Sequence, residues 1–310
     1  MTTATAYALY LSRLAPNSQR SIASQMRSIA QLMDWPDEAI GKQLSCINYQ
    51  QAMQIRALLI HEQWSARSIN RAMTAIKSIV KVAALMGEAD MQQVAHINSI
   101  ANMKHGAHQG NPLSAEQVTK LLALLSKRQD TYGLRTLAIF ALFLGTGLRR
   151  SELAALMLAD YDSATSTIKV VAGKGNKSRI LFLPNWVEQH VIAWLNVRKM
   201  HSGPLICHCR TTGIMVHYRP VSRDALYRLV KDKLGDIGVM GASPHDLRRT
   251  FITRLLEQNV DINTVRQMAG HADISTTTIY DKRGDAFMRE AAATLNYVSA
   301  PNERGGKTRC

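Results

Sequence analysis

Helical periodicity in the first hundred residues constrains the fold more than any other feature of this chain. Apolar residues recur at three- and four-residue spacing through segments 18–33, 49–64 and 68–86. This spacing is typical of amphipathic α-helices that pack around one core. Gly87 follows the third segment and is a typical helix stop. The pattern predicts a helical N-terminal domain over residues 1–103.

A change of pattern separates this region from the rest of the chain. Residues 104–112 lack periodicity and contain two glycines and a proline, which is typical of a linker. Residues 113–300 are mostly helical in pattern, with two β-favouring runs at 167–171 and 179–183 around a Gly-Lys-Gly turn. We therefore predict a second domain and a fold that is mainly α with a small β-hairpin or sheet, in the α+β class.

The charge balance indicates a polyanionic partner. The chain has 38 Lys+Arg against 23 Asp+Glu, a formal net charge of +15. Nucleic acid is favoured over an anionic membrane surface, because the basic residues are spread through the chain rather than gathered in one amphipathic arm. The longest apolar run, 137–144, is too short to cross a bilayer. The polar segment 301–310 is predicted to be disordered.

The predicted location is the cytoplasm. The N-terminus has no basic stretch followed by an apolar core, so it lacks the pattern of a signal peptide. The four cysteines show no disulfide framework. Cys207 and Cys209 flank His208, but no second ligand pair stands at zinc-site spacing. We interpret them as ordinary thiols.

Two arginines, Arg149 and Arg248, are candidates for binding a phosphodiester. Its charge repels nucleophiles, and its transition state gathers more charge on the non-bridging oxygens. A planar, permanently protonated guanidinium reduces the repulsion and stabilises the charge of the transition state. Arg149 precedes a predicted helix over 151–158, whose first N–H groups also favour anions. Glu152 follows one turn later and can orient the guanidinium. A surface cation is the alternative for each arginine alone.

Tyr280 is the candidate nucleophile. Since a phenol has a pKa of about 10, it needs a base and a cationic pocket. His245 and His271 can accept the phenolic proton or hydrogen-bond a phosphoryl oxygen, although a structural role stays open for His271. Lys174, at the predicted hairpin tip, can donate a proton to the leaving oxygen. The chain lacks the carboxylate cluster of a two-metal site, so chemistry without metal or cofactor is predicted.

Six further cations are candidates for contacts with DNA phosphates. They are Arg67, Arg71, Lys77 and Lys81 in the third helical segment, and Lys177 and Arg179 beside the hairpin tip. A solvated helix face is the alternative for the first four. We favour phosphate contacts because of the candidate catalytic residues downstream.

The motifs that carry these residues resemble the tyrosine recombinase/integrase family, and its simple Xer-like members in particular. They are Thr-Gly-Leu-Arg-Arg-Ser-Glu-Leu at 146–153, Gly-Lys-Gly-Asn-Lys at 173–177, His-Asp-Leu-Arg at 245–248, and the segment 270–280 that begins Gly-His and ends in tyrosine. Two positions depart from the family pattern. Arg249 stands where histidine is frequent, and Ala269 where leucine is usual.

The resemblance implies a helical core-binding domain followed by a catalytic domain that cleaves and rejoins DNA. The residues that would activate the scissile phosphate are Arg149, Lys174, His245, Arg248 and His271. Tyr280 would form a 3′-phosphotyrosyl link, and the freed 5′-hydroxyl would attack a partner duplex through a Holliday junction. The resemblance also implies a homo-tetramer on two double-stranded DNA recombination sites, with a C-terminal segment, here 285–295, docked in a neighbour.

The sequence leaves two alternative functions open. A type IB topoisomerase-like nicking-closing enzyme would use the same chemistry as a monomer. A DNA-binding regulator would keep the fold without activity. The resemblance leaves open an accessory protein, a partner recombinase and a role in a mobile element.

Overall fold

A computed structural model describes residues 4–104, 110–171, 178–281 and 283–294. Lys174, Lys177 and the segment 301–310 lie outside these residues. The chain divides into two compact units, Met1–His108 and Gln109–Cys310. This division falls inside the predicted linker. The roles predicted for the two domains, and the cytoplasmic location, stay predictions.

The first unit is built of helices within its described residues. They are α1 (Ala6–Ser12), α2 (Pro16–Leu32), α3 (Ile40–Ser45), α4 (Tyr49–His61), α5 (Ala66–Leu85) and α6 (Met91–Asn98), with a 3₁₀ turn at Asp37–Ala39. The three predicted helices are confirmed as α2, α4 and α5. Helix α5 forms the centre, because one of its faces is lined by buried Ile69, Ile76 and Ile79. The chain leaves α5 at Gly87, which has a φ of 77°.

The second unit surrounds one buried helix. Its helices are α7 (Ala115–Ser126), α8 (Thr131–Thr146), α9 (Arg150–Ala155), α10 (Asn185–Arg198), α11 (Arg223–Gly235), α12 (Pro244–Glu257), α13 (Ile262–Ala269), α14 (Ser275–Thr278) and α15 (Asp285–Ala293). Every residue of α8 from Arg135 to Thr146 is buried, and α7, α10 and α12 pack against it. The apolar run at 137–144 is thus a core helix. Among the described helices, none has the length and apolarity to cross a membrane.

Two small antiparallel sheets complete the second unit. Strands β1 (Tyr161–Asp162), β2 (Thr167–Val170) and β3 (Arg179–Phe182) form the first, in that order. Strands β4 (Cys207–Cys209) and β5 (Met215–Pro220) form the second. The predicted hairpin is confirmed as β2 and β3, with Thr167 opposite Phe182. The prediction of a mainly α fold with a small sheet is also confirmed.

One predicted helix is shorter than expected. The segment expected to be helical over 151–158 ends at Ala155, and a 3₁₀ turn follows at Leu158–Asp160. Leu156 is extended, with φ −61° and ψ 130°, and its carbonyl oxygen accepts a hydrogen bond from the main chain of Leu205 at 2.8 Å. This hydrogen bond to the segment just before β4 replaces the next helical turn.

Candidate active site

The C-terminal end of α13 collects three arginines. The last carbonyl groups of a helix have no partner within it and carry partial negative charge. Three consecutive carbonyl oxygens here each accept a hydrogen bond from a guanidinium. The pairs are Met268 with Arg179 Nε at 3.0 Å, Ala269 with Arg248 Nη2, and Gly270 with Arg149 Nη2 at 2.7 Å. The arginines come from α12, from β3 and from the residue before α9, so this helix end fixes their relative positions.

Glu152 binds two of these arginines. Its Oε1 accepts from Arg149 Nη1 at 2.8 Å, and its Oε2 accepts from the main-chain N–H of Arg149 at 2.7 Å. Arg179 donates through Nη1 and Nη2 to the two carboxylate oxygens, each at 2.9 Å. Burial raises the pKa of Glu152, but the hydrogen bonds from Arg179 and Arg149 outweigh it and lower the pKa to about 2. The carboxylate is therefore ionised at neutral pH.

Arg248 is the most buried of the three arginines, with 2% of its surface exposed. Its Nη1 donates to the carbonyl oxygen of Gly147 at 2.7 Å. Burial, followed by the positive charge of Arg149, lowers the pKa of Arg248 to about 10. The group remains a cation at neutral pH.

His271 follows directly after this helix end and is buried. Its Nδ1 lies 2.9 Å from Oγ1 of the buried Thr277. Burial, followed by the charges of Arg248 and Arg149, lowers the pKa of His271 to about 4. The imidazole is neutral at physiological pH, so one ring nitrogen donates and the other accepts.

Tyr280 lies beside His271. Its ring is stacked on the His271 ring, with centroids 6.3 Å apart and an interplanar angle of 22°. The ring packs against a small core that includes Phe251 and Val265. Because His271 directly follows the carbonyl oxygens that bind Arg248 and Arg149, the tyrosine ring stacks next to the arginine-binding end of α13.

His245 lies in the first turn of α12 and opens onto a cleft. Its side chain is exposed, yet partial removal from water, followed by the charges of Arg249 and Arg248, lowers its pKa. His245, Arg149 and Arg248 line a cleft of about 440 Å³. Arg150, Arg223 and Tyr227 line it as well. Within the described residues, no three His, Cys, Asp or Glu side chains group as metal ligands.

The structure brings together five of the six predicted catalytic residues. They are Arg149, His245, Arg248, His271 and Tyr280. Glu152 contacts Arg149 as the one-turn spacing predicted. Lys174 lies outside the described residues, so its place in the site stays a prediction.

The predicted DNA contacts have different environments. Arg67, Arg71 and Lys81 are exposed on α5. Lys77 instead donates to the carbonyl oxygens of Asn98 and Ile100, at 3.3 and 2.6 Å. These carbonyls lie at the end of α6 and just beyond it, so Lys77 serves to cap that helix. Lys177 lies outside the described residues.

Arg179 has a different role from the one predicted. Its side chain is 10% exposed and its guanidinium binds Glu152 and Met268, so its fork is not presented to DNA. The sequence does contain a pattern that indicates the burial of the Arg179 side chain. Arg179 and buried Leu181 are two residues apart on β3, and such residues share one face of a strand.

Comparison with known proteins extends over most of the chain. The family model described as Phage integrase family matches residues 111–286. Tyrosine recombinase XerA of Thermococcus onnurineus is 31% identical over 255 residues, covering 82% of this chain and 84% of that protein. Tyrosine recombinase XerD of Lacticaseibacillus casei is 32% identical over 234 residues, covering 73% and 76%.

Two solved structures have a similar fold. The Tn1549 transposon integrase in complex with transposon right end DNA gives a TM-score of 0.70 at 16% identity, covering 94% of this chain and 99% of that one. A lambda integrase dimer bound to a core site gives 0.69 at 15% identity, covering 89% and 92%.

Fold, site and relatives together define an enzyme that binds and recombines DNA. This chain belongs to the phage integrase family and is a tyrosine recombinase, an enzyme of site-specific DNA recombination.

Proposed function

We propose that this recombinase cleaves DNA with Tyr280 and rejoins it through a 3′-phosphotyrosyl intermediate and a Holliday junction, without metal or ATP. The bond from the phenolic oxygen to phosphorus forms as the bond from phosphorus to the 5′-oxygen breaks. One phosphoester replaces another, so the energy for rejoining is kept in the protein–DNA link. The freed 5′-hydroxyl of one duplex then attacks the phosphotyrosyl link of the other and releases the tyrosine.

The observation that carries this proposal is the position of the Tyr280 ring. It is stacked on the ring of His271, which directly follows the carbonyl oxygens that bind Arg248 and Arg149. A phenolate near a guanidinium is stabilised, and the same guanidinium attracts the phosphate that the phenolate attacks. Arg149 and Arg248 would bind the non-bridging oxygens through the N–H groups that do not donate to Glu152 or to the carbonyl oxygens, because each guanidinium has five donors.

The two histidines have separate tasks in this scheme. His245, which is exposed to the cleft, accepts the phenolic proton. His271 is neutral, and when Thr277 donates to its Nδ1, its Nε2–H is available to a phosphoryl oxygen. Lys174 gives the proton that the departing 5′-oxygen requires, a role that rests on the family resemblance.

The proposed partner is a pair of double-stranded recombination sites bound by four copies of the chain. In this arrangement α15 docks on a neighbouring copy. Two features support it. Met288 on α15 is 62% exposed, and a groove of about 470 Å³ is lined by apolar residues of the second unit, including Val118, Leu122 and Leu255. A further partner recombinase or accessory protein, and a role in moving a mobile element, are compatible with this assembly.

A nicked duplex tests the nucleophile. The site is first selected from a pool of random duplexes. A nick on the 3′ side of the scissile phosphate then lets the short fragment that carries the freed 5′-hydroxyl diffuse away, which traps the adduct. Wild type and a Tyr218→Phe control, altered at a tyrosine that is 76% exposed, should form a covalent adduct in EDTA without ATP. Tyr280→Phe should form none. An adduct that persists in Tyr280→Phe would exclude this nucleophile.

A reaction that contains two duplexes distinguishes a recombinase from a nicking-closing enzyme and from an inactive regulator. A recombinase should exchange strands between two labelled duplexes and accumulate a four-way junction. A nicking-closing enzyme would relax supercoiled DNA without exchange, and an inactive regulator would bind the site without any adduct. Sedimentation of the complex should show four protein copies on two duplexes.

A further inference from the structure

Arg179 links the β2–β3 hairpin to the carboxylate that holds Arg149. Its two Nη atoms donate to the two oxygens of Glu152 at 2.9 Å, and the paired side chains are each 10% exposed. Its Nε donates to the carbonyl oxygen of Met268 at 3.0 Å. This is a buried, bidentate ion pair, which fixes the orientation of the Glu152 carboxylate as well as its distance from Arg179. All three nitrogens of the Arg179 guanidinium therefore already donate inside the protein.

The ion pair between Arg179 and Glu152 limits how strongly Glu152 holds the guanidinium of Arg149. A carboxylate with Arg149 as its single partner would compete with the scissile phosphate for that guanidinium. Arg179 spreads the carboxylate charge over two cations, and it is the strongest influence lowering the pKa of Glu152. Glu152 therefore stays ionised and holds one edge of Arg149, while the remaining N–H groups of Arg149 are left for a phosphate.

The backbone around Gly270 ties the same groups together. Gly270 has a φ of 66°, and a Cβ placed on it would lie 2.9 Å from Nη1 of Arg179. The carbonyl oxygen of Gly270 accepts from Arg149 at 2.7 Å. The Arg179 guanidinium thus packs directly against the residue that supports Arg149 from its other side.

We propose that Arg179 is a positioning residue for strand cleavage, which directs Arg149 toward the scissile phosphate through Glu152 without touching DNA. This inference rests on the proposed function. It predicts a defect in the rate of cleavage rather than in DNA affinity.

The primary test compares Arg179→Gln with Arg128→Gln. Arg128 is a matched control, because it forms a fork with Asp130 of the same kind, at 2.8 and 2.7 Å, on the surface. On the nicked substrate, Arg179→Gln should slow adduct formation at least about tenfold, with the Kd for DNA changed by less than about threefold. Arg128→Gln should match wild type. An unchanged rate in Arg179→Gln would overturn the inference.

A charge-neutral substrate separates positioning from a general structural defect. With a methylphosphonate at the scissile position, the reacting phosphorus lacks the negative charge that Arg149 is positioned to meet. The wild-type advantage over Arg179→Gln should then shrink to within about threefold. An equal advantage on both substrates would contradict the inference, because a loss of folding or of DNA binding affects both substrates alike.

The double variant Arg179→Gln with Glu152→Gln covers the case in which the single variant unfolds. It removes both charges of the pair, so no buried charge is left without a partner. Its melting temperature should recover, while its rate on the phosphodiester should stay low. A recovered wild-type rate would overturn the inference. Failure of wild type to form any adduct would instead defeat the proposed function.

Discussion

Glu152 carries a negative charge among three guanidinium groups, and its removal tests how much that pairing stabilises the fold. In Glu152→Gln, the buried Arg179 loses its ionic partner. Breaking a buried pair on one side costs about 3 kcal/mol. Urea unfolding at neutral pH measures the loss. Asp130→Asn breaks an exposed pair and should cost under about 1 kcal/mol; equal losses would show that the burial of Glu152 has no energetic effect.

His271 predicts an acid-sensitive fold. Its pKa is lowered from 6.5 to about 4 in the folded chain, so the unfolded chain binds more protons between these values. Stability from this group is complete above about pH 6.5 and is lost as the pH falls to about 4, by on the order of 3 kcal/mol.

Urea unfolding between pH 7.5 and 4.5 checks the His271 prediction. His271→Asn should reduce the pH dependence in that window, whereas His61→Gln, at an exposed histidine, should leave it unchanged. A wild-type protein whose stability does not change across the window would contradict it.

For individual residues, the sequence predicted which residue types form the site better than it predicted the contacts between them. The motifs predicted Arg149, Arg248, His271 and Tyr280 as site residues because a phosphodiester demands cations, a base and a nucleophile, and the structure places these four around the end of α13. The role of Arg179 was missed, because its partners Glu152 and Met268 lie 27 and 89 residues away. No local spacing rule joins residues so far apart in the chain.

Among the elements, the end of α13 offers a prediction with a close control. Gly270→Ala and Gly238→Ala each place a Cβ on a residue whose φ is positive, 66° and 83° respectively. The resulting strain costs about 1 kcal/mol of folding free energy in each variant. Only at Gly270 would the new Cβ meet Arg179, at 2.9 Å, while at Gly238 nothing described lies within 4 Å.

The two glycine variants are compared by their rates on the nicked substrate. Gly270→Ala should slow adduct formation about tenfold, because Arg179 and the carbonyl that supports Arg149 must shift. Gly238→Ala should keep the wild-type rate. Equal rates for the two variants would show that the contact between Gly270 and Arg179 has no effect on cleavage.

The helices were more predictable than the strands for a physical reason. Helices such as α5 repeat their apolar period over several turns, so the pattern is clear within the segment. Strand β4 has three residues, and a register shift between Cys207 and His208 interrupts its pairing with β5. A pair so short is stabilised by neighbours distant in sequence, which local pattern cannot reveal.

For the whole molecule, the +15 charge predicts DNA binding that weakens with salt. Arg67, Arg71 and Lys81 are exposed on α5. Replacing all three with Gln should weaken binding and reduce the slope of log Kd against log salt by about 2 to 3, as expected for lost phosphate contacts. Titrations of a labelled site between low and high salt measure the slope.

Lys77 supplies the control on the same helix. Its Nζ binds carbonyl oxygens of Asn98 and Ile100, so Lys77→Met should lower the melting temperature and leave the salt slope unchanged. An unchanged slope in the triple variant would assign the DNA contacts to other surfaces.

The arginine-binding end of α13 is made of main-chain oxygens, and this limits which substitutions can disturb it. The identities of the side chains at Met268 and Ala269 do not enter the hydrogen bonds that these two residues accept. Ala269 has a side chain of a single methyl group, and its oxygen binds Arg248. Substitutions of these two side chains therefore act on the site only through packing, in which Ala269 is fully buried. A proline or an insertion that turned the carbonyls away would instead release the three arginines without altering any ionisable residue.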